Sequence, residues 1–202
     1  MFERYARERG ALPHEDCEPT HDQLAAVLQL TRSDSTPYVD FSLFGPHGKR
    51  MVHKLHLVAH HYEPSDGTWR RQDLPGPPNF DAWYRSWQVY RCAMLLIRAS
   101  PSEPLDLYGE LIRTLSQTYG QSVWFLIYQA DGRMRREHFE RLRRRARAEA
   151  SDNSRALPST TDWGDIFLRA SRDKEFWNTE VRDRALLYMT DAIRRAPGSQ
   201  KG

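Results

Sequence analysis

The chain has 202 residues, 39 % hydrophobic and 28 % charged, with a formal net charge of +3; this suits one domain, or one with an appendage, and a core that needs no staples. Its two cysteines, Cys17 and Cys92, lie far apart, which argues against a disulfide framework or a cysteine-based zinc site and for a reducing compartment. The charged start MFERYARERG lacks an apolar signal core, and no apolar run approaches the ~20 residues of a membrane span, so the expectation is an intracellular protein, cytoplasmic or nuclear, with no membrane partner.

Residues 1–19, with Pro13 and Pro19 and no clear periodicity, predict a loosely ordered arm. Thr20 and Gln23 have the spacing of a capping box and open a helix through Leu24, Val27, Leu28 and Leu30. After Pro37, Val39, Phe41 and Leu43 alternate with polar residues and suggest a short strand, with a helical turn as the alternative. Gly45, Pro46 and Gly48 mark a turn. Alternation through Leu55, Leu57 and Ala59, the turn Pro64-Ser65-Asp66-Gly67 and the return from Trp69 predict a β-hairpin near 53–74.

Asn79 is a good N-cap for the clearest amphipathic helix, with Phe80, Trp83, Trp87, Tyr90, Met94 and Ile97 on one side. The spacing of Trp83, Tyr84, Trp87 and Tyr90 points to core packing rather than base stacking. Pro104 and Gly120 bracket the next helix, whose stripe is Leu105, Tyr108, Leu111, Ile112, Leu115 and Tyr119. A long helix over about 122–149 follows, then a polar linker at 151–160. A short helix capped by Thr161 or Asp162 and a last one over about 174–195 complete the chain. The prediction is a mainly α fold of five to six helices with a small inserted hairpin. A helical domain at 20–150 is followed, beyond the linker, by a C-terminal helical pair at 161–195 on the same core.

The basic residues are nearly all arginine, and eight of them fall between Arg133 and Arg147 against Glu137 and Glu140, a local net of +6. At about 100° per residue, Arg133, Arg136, Arg143, Arg144 and Arg147 occupy an arc of roughly 100° opposite the apolar stripe. A guanidinium fork suits phosphate, so these five are the candidate contacts to RNA or DNA. A solvated face with local ion pairs and a surface for an acidic protein are the alternatives. On the apolar side of the same helix Asp131, Arg135 and His138 follow i, i+4, i+7 spacing. Charges there must be paired, and the three are expected to form a structural polar network.

Two other clusters are weaker. His53, His56, His60 and His61 are close in sequence but split between strand faces, and no zinc-ligand pattern supports them; they remain weak metal candidates, and no cofactor or catalytic residue is assigned. A paired-histidine nuclease site from His60, His61 and Asn79 lacks the further histidine it needs on the following helix. Gly45-Pro46-His47-Gly48-Lys49-Arg50 has two residues between its glycines where a phosphate loop needs four, and lacks the Ser or Thr after the lysine.

The stretches PYVDFSLFGPHGKR, LPGPPNFDAWYRSWQVYR and QADGRMRREHFERLRRR resemble segments of an uncharacterised protein family, multicopy in some protist genomes and often beside retroelement coding regions. The resemblance covers about 35–195 and implies a Gag-like or accessory role: a helical protein that assembles or coats nucleic acid. The chain has no zinc-knuckle cysteine pattern, so the arginine helix is the surface on which such a role would rest. The sequence thus predicts a non-enzymatic nucleic-acid-associated or self-assembling protein, with a protein-interaction module as the alternative and a histidine-cluster metalloenzyme as the remote one.

Overall fold

The computed structural model describes residues 1–41, 44, 56–63, 68–152 and 161–195. The fold is mainly helical, with seven helices among the described residues. Helix α1 (Phe2–Arg9) ends at Gly10, whose φ of 81° closes it in the left-handed region. It stands where the sequence predicts a loose arm, because Phe2 and Tyr5 pack on the core and Arg4 donates to the Leu96 carbonyl at 2.8 Å. A 3-10 turn, Glu15–Cys17, leads to α2 (His21–Arg32). Its capping box forms as expected: Thr20 Oγ1 accepts from the Gln23 amide at 3.3 Å, and Gln23 Oε1 accepts from the Thr20 amide at 2.9 Å.

Among the described residues, the short strand expected around Val39, Phe41 and Leu43 is not seen at 37–41. Residues 37–40 have no regular structure, yet Val39, Phe41 and Phe44 are buried. Burial without a pairing partner explains the alternation; Leu43 lies outside the described residues. Strands β1 (His56–Glu63) and β2 (Thr68–Pro75) pair antiparallel, with Leu57 opposite Leu74 and Glu63 opposite Thr68. The residues expected to link 63 to 68, and His53 before β1, lie outside the described residues.

Helix α3 (Phe80–Leu96) is capped by Asn79, whose side chain accepts from the Ala82 amide, and it forms the centre of the core. Trp83, Trp87, Tyr90 and Met94 are essentially inaccessible, while Tyr84 is half-buried. The Trp83 and Trp87 rings stack at 5.3 Å, and Trp87 stacks on Tyr108 at the same distance. Tyr108 belongs to α4 (Ser102–Tyr119), which stops at Gly120 with φ 76°. Gly109 allows the close crossing of α3 and α4: a Cβ there would lie 2.8 Å from Trp87 Nε1.

Helix α5 spans 124–152 as an α segment Trp124–Arg133, a π turn Met134–His138 and a second α segment Phe139–Asp152. Helix α6 (Trp163–Arg172) is capped by Asp162, whose carboxylate accepts from the Asp165 amide. Helix α7 spans 174–195 and also contains a π turn, Asn178–Arg182. Trp163, Ile166 and Phe167 of α6 and Trp177 and Val181 of α7 join the same core as α3 to α5. The expected linker begins inside α5, at 151–152; residues 153–160 lie outside the described residues. No helix among the described residues is long and apolar enough to cross a membrane.

Candidate nucleic-acid interface

The arginine face is set by the π turn in α5. A π turn closes i to i+5 and so holds one more residue than an α turn. Every side chain beyond it is set back by one residue's rotation, about 100°. Counted at a constant period, Arg143 shares an arc with Arg133; with the inserted residue it lies about 180° away. The side-chain partners follow this rotation. Arg143 is only 14 % exposed, with Nη1 2.9 Å from Asp34 Oδ2 and Nη2 2.9 Å from Glu140. Arg147 binds the same Asp34 carboxylate. Arg133, on the opposite side, holds Glu180 of α7 at 2.5 Å and Glu137 at 3.9 Å.

Three of the five expected phosphate contacts, Arg133, Arg143 and Arg147, are therefore committed to carboxylates. Arg136 and Arg144 remain exposed, and the rotation brings Arg141 and Arg145 beside them. Arg141, Arg144 and Arg145 fall within about 100° of one another, with Arg136 at the edge of that arc. All four are exposed. Arg136 lies over the Tyr38 ring at 4.8 Å, a contact that leaves its charge uncompensated.

The neighbouring acids are engaged elsewhere: Asp131 with Arg135, Glu137 with Arg133, Glu140 with Arg143, and Glu149 with Arg169 of α6. Arg136, Arg141, Arg144 and Arg145 thus have no carboxylate partner among the described residues. Residue spacing gives no signal for Arg141 and Arg145: the buried Asp131, Arg135, Phe139 and Leu142 follow ordinary α spacing through the turn.

Asp34 ties the inward-turned arginines to the rest of the fold. It sits just past α2 with φ 54°, a left-handed conformation that aspartate tolerates better than most residues. Its other oxygen accepts from Thr161 Oγ1 at 2.5 Å, so one carboxylate joins the end of α2, the second half of α5 and the approach to α6. Burial works to raise the Asp34 carboxyl, but hydrogen bonds from Thr161 and Arg147 and the charges of Arg143 and Arg147 outweigh it and leave it below the usual carboxylate range.

On the inner side of α5, Asp131 is fully buried and Arg135 is 2 % exposed. Arg135 donates from Nε and Nη2 to the two Asp131 oxygens at 2.9 and 2.6 Å. Trp83 Nε1 and the Tyr108 hydroxyl each donate to the same carboxylate at 2.9 Å. Arg135 Nη1 donates to the Val39 carbonyl at 3.3 Å, and the guanidinium lies 4.1 Å from the centre of the Phe41 ring. Burial and the Asp131 charge push the Tyr108 hydroxyl well above its ordinary value, which keeps it a donor. The ion pair expected from the spacing is present, with each oxygen of the carboxylate filled.

His138 is not part of that network. The π turn carries it away, and its Nε2 meets Asp173 Oδ2 at 2.7 Å while its ring packs on Phe176 at 4.7 Å. Asp173 is also the cap of α7, accepting from the Phe176 amide, so this contact fixes the α5–α7 junction. His56, His60 and His61 all lie on β1, and His53 lies outside the described residues. Compared with protein-family models, curated proteins and solved structures, the chain matches none.

Proposed function

We propose that this chain is a non-enzymatic helical protein that associates with nucleic acid, RNA or DNA, through phosphate contacts from Arg136, Arg141, Arg144 and Arg145. One observation carries this reading: four exposed guanidinium groups share a face of α5, while the nearby carboxylates Asp131, Glu137, Glu140 and Glu149 each pair with another arginine. Such a face attracts polyanions without reading sequence, because phosphate contacts carry no base information. Taken with the resemblance of segments of the chain to a retroelement-associated family, the role is Gag-like or accessory to a mobile element.

The test is binding to single-stranded RNA, followed by fluorescence anisotropy across a salt series. Four phosphate contacts give a log–log slope of roughly −3 for a single strand and closer to −4 for a duplex. Replacing the four arginines with glutamine should remove most of the affinity and flatten the slope. The pair Arg143→Gln and Arg147→Gln should leave the slope unchanged and lower stability instead. Binding that ignores salt, or survives the fourfold replacement, overturns the proposal.

A second reading, a protein-interaction module, draws on Leu186 and Leu187 of α7, which are 53 % and 66 % exposed. It predicts self-association in light scattering that Leu187→Glu abolishes. A strictly monomeric wild type would refute it for a second copy of this chain.

A further inference from the structure

Cys17 and Cys92, separated in sequence, are brought to one place by the N-terminal arm. The 3-10 turn that carries Cys17 packs on α3, which carries Cys92. Both thiols line a single cavity of about 250 Å3, together with Tyr5, His14, Gln88 and Arg91. Both are free thiols; Cys17 is partly accessible and Cys92 is 3 % exposed. Tyr5 of α1 lines the same cavity, so two parts of the arm border Cys92.

We propose that Cys17 and Cys92 are a reversible dithiol–disulfide pair, closed by a small-molecule disulfide of the oxidised-glutathione class, which locks the arm onto α3. The Cys17 thiolate attacks one glutathione sulfur, the glutathione S–S bond breaks, and one glutathione thiolate leaves. The Cys92 thiolate then attacks the Cys17 sulfur of the mixed disulfide, and the second glutathione thiolate leaves. Two electrons pass from the protein thiols to glutathione, and the two thiol protons end on the released glutathione molecules.

Accessibility makes Cys17 the entry point. A mixed disulfide is larger than the cavity's buried wall admits at Cys92, while Cys17 stands on a short turn that yields without breaking a long helix. Burial raises both thiols, Cys92 to about 12, with the Cys17 charge adding to the rise of Cys92 and the Asp16 charge to that of Cys17. Thiolate is therefore scarce at neutral pH, and the exchange is expected to quicken by about tenfold per pH unit from about pH 7 to about pH 8.5.

The experiment treats the full folded chain with oxidised glutathione and reads intact mass and a non-reducing peptide map. The expected product has lost two hydrogens, retains no glutathione, and yields one peptide pair joined through Cys17 and Cys92. Cys92→Ser should stop at a stable glutathione adduct on Cys17, and Cys17→Ser should react at least about tenfold more slowly than wild type. In glutathione redox buffers the folded chain should close at roughly a tenfold lower oxidised fraction than the chain unfolded in urea, because folding supplies the proximity. A mixed disulfide that persists on Cys17 in the wild type, a disulfide-linked dimer, or closure no easier in the folded than in the unfolded chain overturns the proposal.

Discussion

Replacing Arg135 with methionine would leave the Asp131 carboxylate in the core with two of its four donors, Trp83 Nε1 and the Tyr108 hydroxyl. It would also strip the Val39 carbonyl of its donor. The carboxylate has no exposed surface, so water cannot substitute for the lost guanidinium. Removing one partner of such a pair costs about 3–5 kcal/mol, a large part of the roughly 5–15 kcal/mol that holds a domain together. For a chain of this size each kcal/mol moves the midpoint by about 2–4 °C, which places the fall in Tm at roughly 6–20 °C. The double variant Asp131→Asn with Arg135→Met removes both charges at once. It should be less destabilised than the two singles summed, by more than about 1 kcal/mol. Trp83 and Trp87 lie beside the pair, so urea unfolding followed by tryptophan fluorescence reads it directly. A cost below about 1 kcal/mol for Arg135→Met, or additivity within about 0.5 kcal/mol in the cycle, would refute the view that this pair organises the core.

Other outcomes follow from the same geometry. Asp34 titrates lower in the folded than in the unfolded chain. Between the two values the unfolded chain holds more protons, so Asp34 contributes stability that is present above about pH 4 and lost as pH falls through the folded value. Asp34→Asn should therefore lower stability at neutral pH and flatten its acid fall, measured as urea midpoints from about pH 2 to about pH 6. Gly109→Ala would drive a Cβ to 2.8 Å from Trp87 Nε1 and should cost about 1–3 kcal/mol by overpacking; a neutral result in thermal unfolding would show that α3 and α4 separate freely. Thr20→Ala removes a cap and should cost about 1 kcal/mol, visible as a lower urea midpoint with an unchanged slope.

Where local chemistry decides the structure, the sequence was readable. The capping box at Thr20 and Gln23, the Asn79 cap and the aromatic stripe of α3 each depend on residues within a turn or two of one another. The Asp131–Arg135 pair was legible for the same reason, since i, i+4 spacing on an apolar face leaves few other partners. Three things were not. Helix α1 looks like a charged arm until its Phe2 and Tyr5 find the core, which is a tertiary event. The alternation around Val39 and Phe41 comes from burial alone. The arginine face is not legible because the one residue inserted by the π turn shifts the helical phase by about 100° at a single point: at constant period Arg143 and Arg147 point outward, and in the structure they turn to Asp34. The distant carboxylates Asp34 and Glu180 that capture Arg143, Arg147 and Arg133 have no local signature.

The extra residue at 134–138 acts on α5 much as a frameshift acts on a message. Upstream, the helix is keyed to the core through Asp131 and Arg135; downstream, the orientation of each arginine depends on how many residues intervene, not on which ones. A substitution at Glu137 leaves the outward set where it is. Deleting one residue from this turn would restore an unbroken α period and swing Arg141 and Arg145 off the outward arc by about 100°, while carrying Arg143 and Arg147 away from Asp34. The arginine content would be the same, and the face offered to a polyanion would be a different one.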